Sequence, residues 1–186
     1  MASTLTRDNV IAERKWDLSG LFADETQWQS LYDEVDASLG AIGAYRNRLN
    51  VDNVFECLRL ESDTSRRIER LYMYAALRKD EDTSRAVYQS MAEKAEMLMV
   101  RFSTEASFVT PEIAKFPVKT LRALAADPAG EAFSVYFENV IREKKHILSA
   151  KEEKVLSQIA SFTRDFRQIF SMFDNADIKF GRVSDG

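Results

Sequence analysis

The chain is poor in the residues that most often carry catalysis or punctuate a fold. Its 186 residues hold one cysteine and one histidine, Cys57 and His146. A single cysteine excludes an internal disulfide, which fits a reducing compartment. Its neighbours Val54, Phe55 and Leu58 mark it as a small buried hydrophobe rather than a reactive thiol. The pair also falls short of the roughly four Cys or His ligands that a structural zinc site needs. A di-iron carboxylate bundle is excluded too, because Glu143-Lys-Lys-His146 supplies one Glu-x-x-His element and no second exists. No nucleophile elbow accompanies the histidine, and no GxGxxG or GxxxxGK loop is present to cradle phosphates.

Six glycines and three prolines leave long stretches without breakers, whereas a sandwich or barrel needs frequent turns. The fold class is therefore all-α, an antiparallel bundle of long helix hairpins. Apolar runs nowhere approach the ~20 residues that span a bilayer, and the mixed charges of MASTLTRDNVIAERKW are unlike a secretory signal. No membrane partner is expected, and the location is cytoplasmic. Positive charge is in deficit as well. With a net charge of −4 no global field attracts a phosphate backbone, so nucleic acid is not a partner. Arg66, Arg67 and Arg70, interleaved with Asp63 and Glu69, read as a solvated helix face.

What is present is a globular composition, 45% hydrophobic and 30% charged, in a chain long enough to bury roughly 70% of its unfolded surface. After WDLSGLF, with three large apolar anchors, Asp24 caps a helix whose stripe Trp28, Leu31, Val35, Leu39, Ile42 and Leu49 predicts one helix over residues 25–48. Asp52 is the next cap, and Val54, Phe55 and Leu58 begin a stripe that resumes at Ile68, Leu71, Tyr72 and Ala75. The polar residues 61–67 between them read as a solvent-facing part of one continuous helix. Tyr74 points away from the stripe, onto the surface or a cleft. KDEDTS, residues 79–84, is the hairpin connection to a third helix built on Val87, Met91, Leu98 and Phe102.

Thr110-Pro111-Glu112 signals a helix start with proline at its first position. Pro117 and Pro128 bound a helix over residues 118–126, and another over 131–145 turns Phe133, Phe137, Val140 and Ile141 inward. Ser149-Ala-Lys-Glu152 is a capping box opening the last long helix. Leu156, Ile159, Phe162, Phe166, Ile169, Phe170 and Phe173 give that helix a phenylalanine-rich face, read first as core and second as a docking surface. His146, between two helices, suits a helix-end carbonyl. The end, IKFGRVSDG, alternates like a strand and closes on Asp-Gly, so half a hairpin is expected there.

REKKHILSAKEEKVLSQIASFTRDFRQIFSMFDNADIKF, residues 142–180, together with WDLSGLF and LYMYAALRKDEDTSRAVYQSMAEKAEML, resembles the N-terminal half of oligoendopeptidase F in order and spacing. The similarity spans roughly residues 16–180. Lys145 stands where that family often has proline, and Phe173-Asp174 where Leu-Asn is usual. The resemblance implies a helical two-lobed zinc metallopeptidase around a channel, its His-Glu-x-x-His helix in the C-terminal lobe. The N-terminal lobe would admit only short, unfolded peptides. One histidine cannot make that helix, so no residue here is assigned a catalytic, cofactor-binding or metal-ligating role, and zinc belongs to the full-length enzyme.

The implied organisation is a leader and anchor over residues 1–23, a long-helix hairpin bundle over 24–108 and further helices of the lobe over 109–176. Residues 177–186 would be a truncated β-hairpin leading into a missing catalytic domain. The implied partners are that domain of the same polypeptide and an oligopeptide substrate, with self-association of the uncovered face. The alternative is a freestanding helical interaction module using its last helix. A nucleic-acid-binding helical domain ranks below both.

Overall fold

The computed structural model describes residues 10–11, 16–144 and 150–174, with side chains of residues 150 and 160–168 outside the description. Among the described residues the chain is helical and without strands. The half hairpin expected over residues 177–186, His146 and the Ser149 cap lie outside them.

Asp24 sits in extended backbone and its carboxylate accepts the amide of Gln27 at 2.9 Å, opening α1 (Glu25–Ser38) as the sequence predicts. The helix expected to reach residue 48 stops ten residues early, and Leu39–Tyr45 form a 3₁₀ helix. Gly40 and Gly43 weaken α-helix there, and the threefold repeat still stacks Leu39 and Ile42 on one buried face. Of the WDLSGLF anchors only Phe22 is buried, while Trp16 is exposed.

The second stripe yields one unbroken helix, α2 (Val54–Glu81), so continuity through residues 61–67 holds. Its N-cap position is Asn53, not Asp52. The Asn53 carboxamide is already engaged with the amide of Asn50 and the carbonyl of Arg48, so the cap orders the incoming loop instead. α2 also runs two residues into the expected connection, leaving residues 82–85 to turn into α3 (Ala86–Ala106). Asp82 closes this turn by accepting from the Ser84 amide and hydroxyl. On α3 the inward register is carried by Tyr88, Met91, Leu98 and Phe102, and Val87 is exposed. Tyr74 is another correction. It is 4% exposed, edge-on to Phe22 at 5.3 Å, and Tyr72 is only partly buried. A helix returns to one face at positions three and four apart, so Leu71, Tyr74 and Ala75 share it.

Arg78 ties the open end of this hairpin to α1. Its guanidinium donates to Glu25 at 2.9 Å, Glu81 at 3.0 Å and the Tyr88 hydroxyl at 2.6 Å, and lies 4.6 Å over the Tyr88 ring. Arg67 reaches Glu34 of α1 at 2.5 Å and Arg70 donates to the Leu21 carbonyl. The basic face is thus partly an inter-helix seam.

Past α3 the chain folds into short pieces: α4 (Val109–Ile113), α5 (Val118–Ala125), a 3₁₀ turn (Pro128–Phe133) and α6 (Ser134–Glu143). Pro111 falls at the third position of α4, where its missing amide is equally harmless. The helix expected from residue 131 begins at Ser134, with Phe137 and Val140 buried. Glu112 is buried, and its carboxylate accepts the Asn47 amide at 2.7 Å, pinning the one described non-glycine residue with positive φ. α7 (Ala150–Met172) then lies along α3.

Candidate functional site

The most polar recess of the bundle lies where α2, α3 and α4 meet the first turns of α7, a cleft of about 370 Å³. Glu61 and Ser65 enter from α2, Ser103 and Ser107 from α3, and Glu153 and Ser157 from α7. Glu61 is there because it continues the inward register of α2, four residues after Cys57 and three before the buried Thr64. In the sequence it falls in a stretch expected to face solvent. The usable signal was its spacing from Cys57 and Ile68, which was overridden by its charge.

Burial lifts the Glu61 carboxyl from its ordinary 4.5 to about 7. Tyr136 of α6 shares a hydrogen bond with Thr110 at 3.0 Å, and burial pushes its phenol up to about 12 against that bond. Burial first, then the charge of Glu61, also drives the Cys57 thiol up to about 12, so this buried cysteine is an inert hydrophobe, as its neighbours suggested.

Linkage turns the Glu61 shift into a prediction. A carboxyl with a raised native pKa holds its proton more tightly folded than unfolded, so stability falls as pH rises from about 4.5 to about 7. Glu61→Gln should flatten that slope and add roughly 2 kcal/mol at pH 8, after discounting for residual solvent contact. Urea unfolding at pH 5 and pH 8 measures it. An unchanged slope in the variant would remove Glu61 as its source.

The cleft has features of binding and none of bond-breaking. Ser107 donates to the Thr104 carbonyl and Ser157 to that of Lys154, each at 2.8 Å, so these hydroxyls are committed to their own helices. No basic side chain lines the cleft to activate one as a nucleophile. Among the described residues no group of three or more His, Cys, Asp or Glu is placed to hold a metal ion. Glu143, the first half of the Glu-x-x-His element, is exposed near the end of α6. No helix of the described residues is long and apolar enough to cross a membrane.

Known proteins share this arrangement of helices. Residues 112–180 match the model of the Oligopeptidase F family. Oligopeptidase PepF of Bacillus subtilis is 28% identical over 182 residues, covering 96% of this chain and 27% of that protein. Group B oligopeptidase PepB of Streptococcus agalactiae is 28% identical over 177 residues, 94% of this chain and 30% of its own length. The crystal structure of oligoendopeptidase-F from Enterococcus faecium superposes with a TM-score of 0.76 at 22% identity, over 86% of this chain and 32% of that one. That likeness concerns the fold. The chain thus spans under a third of the length of these relatives. Over nearly its whole length it corresponds to the N-terminal region of the oligoendopeptidase F family.

Proposed function

We propose that this chain is the N-terminal, non-catalytic lobe of a zinc-dependent oligopeptidase that hydrolyses short peptides when the polypeptide is complete. The observation that carries this is the alignment of 96% of the chain with 27% of Oligopeptidase PepF. The catalytic domain of the same polypeptide and an oligopeptide are the partners in this proposal, and the cytoplasm the location. The lobe would run through residue 176, with residues 1–23 as leader and anchor, 24–108 as the hairpin bundle and 109–176 as the remaining helices. Residues 177–186 would begin a β-hairpin leading into the catalytic part.

Zinc is the metal this family implies, and the residues present do not fit it. Catalytic zinc takes three protein ligands, with His dominant. The chain has one histidine, and the described residues bring no suitable group together. No step through zinc is therefore derived from these residues. In this scheme they restrict which chains reach a metal held elsewhere.

The purified chain should show no zinc-dependent cleavage of a quenched fluorescent peptide and no tight zinc binding by calorimetry. Zinc-dependent turnover would overturn the non-catalytic assignment. The freestanding interaction module differs in what the gene encodes after Gly186. A His-Glu-x-x-His helix downstream supports the peptidase lobe, and an immediate stop codon supports the module.

A further inference from the structure

Helix α7 is amphipathic in the reverse sense for a helix lying on a bundle. The side it turns to α3 is polar. Ser157 Oγ stands 3.4 Å from Thr104 Oγ1, and Glu153 and Gln158 line the clefts on either side of that contact. Its apolar residues face away. Val155 and Ile159 are 48% exposed, Ile169 65%, Phe170 69% and Phe173, just past its end, 55%. At ~100° per residue these five fall within an arc of ~100°, with Ser157 and Glu153 on the opposite side. The face read first as core is therefore a continuous solvent-facing stripe along a helix about 35 Å long. Monomeric proteins seldom leave such a stripe uncovered.

We propose that this stripe pairs with the same stripe of a second copy of the chain, in an antiparallel, two-fold symmetric dimer. Three features favour that occupant. With the flanking Leu156 and Met172, each copy offers about 700 Å² of apolar surface at roughly 100 Å² per side chain, so pairing buries about 1,400 Å². That lies within the roughly 1,200–2,000 Å² of a standard specific interface. Residue size is graded along the helix, from Val155 and Ile159 at one end to Phe170 and Phe173 at the other. Antiparallel pairing sets small residues against large ones, whereas parallel pairing would set phenylalanine on phenylalanine. Charge agrees, since the exposed Lys151 of one copy meets the exposed Asp174 of the other, with helix dipoles opposed. This pairing does not depend on the peptidase proposal.

Sedimentation velocity of the whole chain from about 1 to 200 µM tests it. A concentration-dependent dimer with a micromolar dissociation constant is expected, and Ile159→Asp combined with Phe170→Asp should shift that constant at least a hundredfold. Both positions are solvent-exposed, so far-ultraviolet circular dichroism should be unchanged. Orientation is read by mild oxidation of Lys151→Cys and Asp174→Cys chains, because the native thiol is buried. Disulfides should form between the two variants in a mixture and not within either alone. A monomer at every concentration, association that survives the double aspartate variant, or cross-linking of the Lys151→Cys variant to itself would each overturn the proposal.

Discussion

Trp28→Ala is expected to cost about 4 kcal/mol of folding stability, and Trp28→Phe about 1–2 kcal/mol. The indole is 1% exposed, lies parallel to Tyr32 at 5.4 Å, and donates its Nε1 hydrogen to the carbonyl of Leu71 at 2.8 Å. It is therefore both the filler between α1 and α2 and the polar link that sets their register. Truncation to alanine empties a site that neighbouring helices, held by Arg78 and Arg67, cannot close over, and a cavity of that size carries costs of about 3–5 kcal/mol. Phenylalanine keeps most of the volume and loses the hydrogen bond. The Leu71 carbonyl can still accept its own helix bond, so the smaller loss follows. Against a total of roughly 5–15 kcal/mol, the alanine variant would sit near the edge of folding. Urea unfolding at 25 °C measures both, and a loss under about 2 kcal/mol for alanine would show that α1 is dispensable to the core.

Gly130 should be nearly as intolerant, for a different reason. Its φ of −117° is open to any residue. The constraint is space, because a β-carbon there would fall 1.9 Å from Cε1 and 2.3 Å from Cζ of Phe55. That ring is held by Phe137 at 5.9 Å and Phe133 at 6.5 Å, so it cannot swing aside without opening the contact between α2 and α6. Gly130→Ala is expected to lose about 2–3 kcal/mol. A double-mutant cycle isolates the cause: with Phe55→Ala in place, the same glycine change should cost under about 0.5 kcal/mol. If the cost persists without the Phe55 ring, the close approach is not its origin.

How far the fold could be read in advance depended on whether the deciding interaction was local. The Asp24 cap needs only its next few residues, and it stands where the sequence puts it. The α2–α3 hairpin follows from two long periodic stretches and a polar turn, and its ends moved by only a few residues. Positions between the apolar stripes were harder. Tyr74 and Glu61 both sit on the buried arc of α2, yet one was turned outward by its hydroxyl and the other by its charge. Phe22 covers the first, and three other helices wall in the second. Neither partner is near in sequence.

The face of α7 shows the same limit most clearly. Apolar spacing marks a stripe whether it packs inward or faces water, and only the polar contact of Ser157 with Thr104 reveals which side lies on the bundle. The sequence by itself determined an all-helical chain, without the residues for a zinc site and with a buried, inert Cys57. These follow from composition and from hydrogen bonding and side-chain spacing within single helices. Tertiary structure alone decided that Glu61 shares a cleft with hydroxyls, that Gly130 must yield to Phe55 and that α7 turns its apolar side outward. Each is set by contacts between residues distant in the chain, where burial depends on what arrives from elsewhere.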